Sequence, residues 1–84
     1  MTFLVKVTQE HIRQGERQSA TGCPVALAIS EQLGLRKVVV HGYHVLLGKF
    51  HGNFALPESV TDWIKSFDRG ETVGPISFQL EARP

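Results

Sequence analysis

The sequence is short of cysteine. Cys23 is the only one in 84 residues, so no disulfide can form within the chain. Small secreted domains usually depend on disulfides, and a lone thiol fits a reducing compartment better. The opening stretch, MTFLVKVTQEH, also lacks the apolar core and the cleavage site of a signal peptide. These features predict a cytoplasmic protein.

Long apolar runs, an excess of one charge and glycine-rich phosphate loops are also missing. No stretch approaches the length of a membrane span. The net charge is +1 and the charged residues are scattered, so there is no basic stripe of the kind that binds nucleic acid. Neither a Walker pattern nor Gly-x-Gly-x-x-Gly occurs. We therefore expect no membrane association, no cofactor and no nucleic-acid partner.

The composition is that of a folded globule. Hydrophobic residues make up 42% and charged residues 20% of the chain, which is ordinary for a globular domain. A length of 84 residues suits one domain and is too short for two. We therefore expect a single domain over residues 1–84, with a small core and marginal stability.

Alternating apolar residues indicate strands. FLVKVT near the start and ISFQLEA near the end both alternate with period two. In the middle, RKVVV and YHVLLGKF flank His41 and Gly42, which we interpret as a two-residue hairpin loop. This loop would pair Val40 with Tyr43 on an apolar face that also holds Val38 and Val45. A second turn at HGN would return FAL along LGKF as a further short strand.

Three helices are predicted from capping residues and apolar spacing. Thr8 caps a short helix, which we expect Gly15 to end in the left-handed conformation. In GCPVALAISEQLGL, Pro24 suits the first helical position and Gly34 the end. LPESVTDWIKSFDRG follows the i, i+3, i+4, i+7 rule and predicts a buried face that includes Trp63.

The predicted element order is therefore β-α-α-β-β-(β)-α-β. Strands and helices in this order favour an α+β fold. We expect a small antiparallel or mixed sheet with the two main helices packed on one face.

The pattern resembles a family of small uncharacterised bacterial and phage proteins. The resemblance rests on GCPVALAI and on ALPESVTDWIKSFDRGETVGPISFQL, and it covers about residues 8–80. Family members are similar in having Cys-Pro before an apolar helix, Leu-Pro before an amphipathic helix, then Phe-Asp-x-Gly and an alternating strand. The resemblance implies a bacterial or phage origin and carries no activity that could be transferred.

The histidines are the first candidates for chemistry. On one strand, the spacing of His41 and His44 would send their side chains to opposite faces, whereas on a turn the two could converge. No Cys-x-x-Cys or His-x-x-x-His motif completes a ligand set with His11 or His51. We interpret all four as turn and surface residues and expect no metal site. A weak metal site and a pH-sensitive contact are the alternatives.

Cys23, Arg13 and Arg17 form a second candidate site. Cys23 precedes Pro24 at a predicted helix N-terminus, where the dipole can stabilise a thiolate and lower its pKa. The two arginines lie upstream, in reach of an anion bound by backbone N–H groups of that loop. The simpler interpretation of a free cysteine is a small buried apolar residue.

The hairpin face opposite the core is unusually apolar. It carries Val39, His44 and Leu46, and the same alternation adds Phe50, while the first strand adds Leu4. A solvated face does not hold this many apolar groups, and the short first helix is too small to cover them. We therefore predict that this face is an interface, either with a symmetric copy in a homodimer or with a protein partner.

Two functions follow from these candidate sites. We expect a small non-enzymatic interaction protein that binds and modulates or inhibits a host protein, as the resemblance to phage proteins would suit. The alternative is a small-molecule-binding, nucleotide-binding or thiol-dependent protein centred on Arg13, Arg17 and Cys23.

Overall fold

The elements follow the predicted order. The fold is described from a computed structural model that covers residues 2–48 and 53–82. In chain order the elements are β1 (Thr2–Val7), α1 (Gln9–Gln14), α2 (Pro24–Leu33), β2 (Val38–His41), β3 (His44–Leu47), β4 (Asn53–Ala55), α3 (Glu58–Asp68) and β5 (Ile76–Ala82).

The strands form one five-stranded sheet in the order β1-β5-β4-β3-β2. Every neighbouring pair is antiparallel. The first and last strands lie side by side, with a register that runs from Thr2 opposite Glu81 to Val7 opposite Ile76. The α+β prediction is confirmed, and the sheet is antiparallel rather than mixed.

The central hairpin turns one residue later than predicted. His41 pairs with His44, so the loop consists of Gly42 and Tyr43. Gly42 has a φ of 47°, which suits glycine at the first position of a two-residue turn. The pairing of β3 with β2 is therefore shifted by two residues from the predicted one: Val40 lies opposite Val45 instead of Tyr43. Because side chains alternate with period two, each strand residue still lies on its predicted face. Only Tyr43 leaves the predicted apolar face, since it lies in the loop and is 56% exposed.

The short strand β4 pairs with β3, as predicted, but closer to the hairpin. Phe54 lies opposite Val45 and Ala55 opposite His44, whereas the predicted pairing was along residues 47–50. The predicted turn at residues 51–52 lies outside the described residues.

The first helix begins as predicted and ends differently. The side chain of Thr8 accepts a hydrogen bond from the backbone of His11, and the Thr8 backbone N–H donates to Nδ1 of His11 at 2.9 Å. Gly15 ends the helix with a φ of −71°, not in the left-handed conformation. A Cβ on Gly15 would lie 2.5 Å from the ring of Pro24. Glycine is therefore required by the close approach of α1 to α2.

The other two helices begin and end near the predicted residues. Pro24 is the first residue of α2, and Gly34 ends it with a φ of 66°. Pro57 caps α3, and Gly70 follows its last turn with a φ of 83°. These glycines adopt the left-handed conformation that ends many helices.

One hydrophobic core fills the space between the sheet and the two main helices. The sheet contributes alternate residues from one face, and α2 and α3 contribute Val25, Ala26, Ala28, Ile29 and Val60. Both main helices therefore pack on one face of the sheet, as predicted. Trp63, predicted to be buried, is half-buried: its Nε1 donates to the carbonyl of Gly74 at 2.9 Å and its ring stacks on Phe67.

Candidate interaction surface

The sheet face turned away from the core carries exposed aliphatic side chains. Leu4 is 58% exposed and Leu46 is 41% exposed. Both belong to the alternating set that points away from the helices, since their neighbours Val5, Val45 and Leu47 are buried. In a sheet with one solvated face, the outward positions of the alternation usually hold polar residues, and here two of them hold leucine.

The structure brings three of the predicted interface residues together. Val39 on β2 lies directly opposite Leu46 on β3. His44 lies two residues before Leu46 on β3, opposite Ala55 on β4. Val39, His44 and Ala55 are half-buried. We call Val39, His44, Leu46 and Ala55 the Leu46 patch. It lies over three adjacent strands, with Leu46 on β3 between β2 and β4.

Leu4 does not belong to the Leu46 patch, which corrects the prediction of one continuous surface. Leu4 lies opposite Gln79 on β5, and β4 separates β5 from β3. Three strand spacings amount to about 14 Å. The intervening positions on this face include the exposed polar side chains of Gln79 and Glu81. Phe50, the fifth predicted residue, lies outside the described residues.

His44 is a half-buried member of the patch. Among the described residues its Nδ1 is buried and has no hydrogen-bond partner. His41 lies opposite it across the hairpin and is exposed. A turn separates the two histidines, so they lie on the same face, as paired residues do. No group of three metal-binding side chains occurs in the described part of the chain.

The second candidate site does not assemble. Cys23 caps α2, where its Sγ accepts a hydrogen bond from the N–H of Ala26 at 3.4 Å. Arg13 instead forms an exposed ion pair with Glu10. The guanidinium of Arg17 lies near Gly70, after the end of α3. The three side chains thus face different partners.

Cys23 is buried, with 2% of its surface exposed. Burial raises the pKa of its thiol above the ordinary value, and the backbone N–H groups of Ala26 and Val25 offset this only in part. Asp68 raises the pKa further through its charge. The helix dipole does not lower this pKa, because desolvation of the thiolate is the larger effect. The burial agrees with the simpler interpretation of Cys23 as a small apolar residue.

Cys23 therefore gives a direct prediction. A thiol reagent at pH 8 should label the native protein at least about a hundredfold more slowly than the urea-unfolded protein, since labelling requires local opening. Thr21→Cys in a Cys23→Ala background is the matched control, because Thr21 is exposed two residues away. The control should label at the unfolded rate. Native Cys23 labelling at the control's rate would contradict the burial.

Sequence reasoning missed the role of His11. It was predicted at the surface, yet it is 5% exposed and lies between α1 and α2. Its Nε2 lies 3.0 Å from Oε1 of Glu31, while Nδ1 accepts from the N–H of Thr8. The Thr-x-x-His spacing was the available signal, because the third helical residue can complete a capping box.

A cleft of about 320 Å³ between the loop at residues 16–22 and α3 was also missed. Gln18 has a φ of 56°, and its N–H donates to the carboxylate of Asp68 at 2.8 Å. Thr61 donates to the carbonyl of Gly42 at 3.0 Å. These hydrogen bonds join the loop to α3 and α3 to the hairpin. The polar groups beside the cleft thus have a structural role.

No family model, curated protein or solved structure matches this chain. The resemblance to small phage and bacterial proteins therefore stays a prediction. No helix among the described residues is long and apolar enough to cross a membrane. The fold and the surface define a small α+β protein with an apolar patch on the sheet face opposite its helices.

Proposed function

We propose that this chain is a non-enzymatic interaction protein that binds another protein through the Leu46 patch. The observation that supports this function is the exposure of Leu46, 41%, in the interior of the sheet. An edge residue can be exposed because the sheet ends beside it. Leu46 has a strand on each side, so its exposure belongs to the face itself.

The chemistry of the patch describes its partner. Val39, Leu46 and Ala55 present aliphatic groups on a gently twisted antiparallel surface, and the ring of His44 lies among them. Such a surface offers burial of apolar area and few directional hydrogen bonds. A partner would place aliphatic or aromatic side chains on it. The small size of the patch favours a regulatory contact of the transient kind.

The proposal extends to a cytoplasmic host protein that this chain modulates or inhibits. A reducing compartment suits the single buried thiol. The inhibitory role is suggested by the resemblance to phage proteins. The thiol-dependent alternative is less well supported, because burial raises the pKa of Cys23 and the arginines have other neighbours.

Replacing Leu46 with glutamate tests the proposal. A charged side chain in the middle of the contact should weaken partner binding by about tenfold to a hundredfold. Gln79→Glu is the matched control, since it adds the same charge on the same face but outside the patch. Both sites are exposed, so the free energy of unfolding should change by less than about 0.5 kcal/mol in each variant.

The measurement is affinity capture from lysate of the native host, followed by titration of the captured protein. A protein that wild type and Gln79→Glu retain and that Leu46→Glu loses supports the proposal. Equal capture by all three proteins contradicts it, because the contact would then lie elsewhere.

A further inference from the structure

The orientation of the backbone at the sheet edge formed by β1 can be read from one side chain. In an antiparallel pair, alternate residues point their N–H and C=O groups toward the partner strand and away from it. Gln32 of α2 accepts from the N–H of Lys6 at 2.8 Å and donates to the carbonyl of Lys6. The backbone of Lys6 therefore faces away from β5, and so do those of Leu4 and Thr2.

The two edges of the sheet are covered to different extents. At β2, the N–H of Val40 donates to the carbonyl of Ala20 at 2.8 Å, so the loop at residues 16–22 lies against that edge. At β1, Gln32 covers only Lys6. Thr2 and Leu4 keep outward-facing backbone groups to which no described residue donates or accepts. An open edge of this kind is a template for pairing with another strand.

We propose that this β1 edge pairs with the β1 edge of a second copy of the chain, in an antiparallel arrangement about a two-fold axis. Gln32 already bonds both backbone groups of Lys6, so the outward-facing backbone groups available for pairing are those of Thr2 and Leu4. The register that uses both places Thr2 of each copy opposite Leu4 of the other, with Phe3 on the axis. The result is a continuous sheet of two five-stranded halves.

The edge is complementary to itself in side chains as well as in backbone. Leu4, 58% exposed, would pack against Thr2 and toward Leu4 of the other copy, so the side of its side chain that faces the edge becomes covered. The exposed groups Lys6 and Glu81 flank the edge. In this register, strand spacings place Lys6 of one copy about 12 Å from Glu81 of the other, measured between Cα atoms. Long side chains of opposite charge then lie across the axis.

The pairing is short, and this sets its expected strength. Residues 2–4 supply few hydrogen bonds, and the buried area is below that of standard stable interfaces. The dimer should therefore dissociate on dilution. This inference is independent of the Leu46 patch, which lies on β2, β3 and β4.

Two measurements test the pairing. Sedimentation follows the mass over a concentration series up to about 1 mM, a range suited to a weak contact. Amide hydrogen exchange is measured on the same samples. Wild type should dimerise as its concentration rises, and the amides of Thr2 and Leu4 should become protected. Those of Phe3 and Val5 face β5 and should be protected throughout. Leu4→Pro removes an outward N–H without breaking the ladder to β5, and should raise the dissociation constant by about tenfold to a hundredfold.

Control variants separate this edge from the Leu46 patch. Gln79→Lys and Leu46→Glu should dimerise as wild type does. If Leu4→Pro fails to fold by circular dichroism, Leu4→Lys takes its place, with the same expected weakening. A wild type that stays monomeric with unprotected Thr2 and Leu4 amides overturns the proposal. So does a dimer that Leu46→Glu abolishes and the Leu4 variants keep.

Discussion

Replacing Ile29 with alanine is expected to cost about 3–5 kcal/mol of the free energy of unfolding. Ile29 lies on α2, is fully buried and belongs to the single core cluster. Its removal leaves a cavity between α2 and the sheet that a close-packed interior cannot fill without strain. Domains of this size have a total stability of only about 4–13 kcal/mol, by the usual value per residue. The variant should therefore lose a large fraction of its total stability and unfold at a clearly lower urea concentration.

Urea unfolding followed by circular dichroism measures this cost, and Leu27→Ala is the matched control. Leu27 has the same number of carbon atoms and lies on the same helix, but it is only half-buried. It should cost about 1 kcal/mol, as a partly exposed aliphatic residue does. Equal costs for the two substitutions would contradict the placement of α2 against the sheet.

His11→Ala is expected to cost about 2–3 kcal/mol, from the loss of buried contacts and of the cap. The substitution leaves the N–H of Thr8 without its acceptor and breaks the link to Glu31. It also empties a buried position between α1 and α2. A helix of six residues has too few internal hydrogen bonds to form without these contacts. We therefore expect α1 to unfold before the rest of the domain.

The variant His11→Gln separates the cap from the packing. Glutamine at the third helical position can reach back to the N-cap N–H, so it should recover about half of the loss. Amide exchange of residues 9–14 reports the helix, and urea unfolding reports the whole domain. A His11→Ala protein as stable as wild type would show that the capping box and the Glu31 contact contribute nothing to the fold.

Period-two and helical patterns predicted the elements because burial on one face imposes them directly. The hairpin shows how robust this is: its loop is misplaced by one residue, yet every strand residue keeps its face. The sequence could not distinguish the two loops, since Gly42 lies inside both. A shift of one residue in the pairing would have inverted the faces, and the pattern excludes it.

The candidate surface was predicted in composition and not in layout. Val39, His44 and Leu46 meet because they are close in sequence and the hairpin pairs them. Leu4 was assigned to the same surface by alternation alone. Alternation predicts which face of the sheet a residue lies on, but it does not predict how many strands separate two residues on that face. The strand order that places β5 and β4 between them depends on long-range pairing.

Tertiary proximity also explains the remaining errors. Gly15 is glycine because Pro24 packs against it, and Cys23 is buried because α2 lies in the core. Both facts depend on contacts between residues that are distant in sequence and close in space. Local rules predicted a left-handed glycine at position 15, and packing against Pro24 overrode that preference. For Cys23 they left two interpretations open, and burial favours the simpler one, a small apolar residue.

The most direct test of the Leu46 patch is site-specific photo-crosslinking in the native host. A photoreactive phenylalanine derivative replaces Leu46 in one variant, Gln79 in a second and Asp62 on the exposed side of α3 in a third. The account predicts that position 46 crosslinks to one protein in high yield and that the other two positions do not. Crosslinking to a protein from position 62 and not from position 46 would contradict it, because the contact would then be made by the helices.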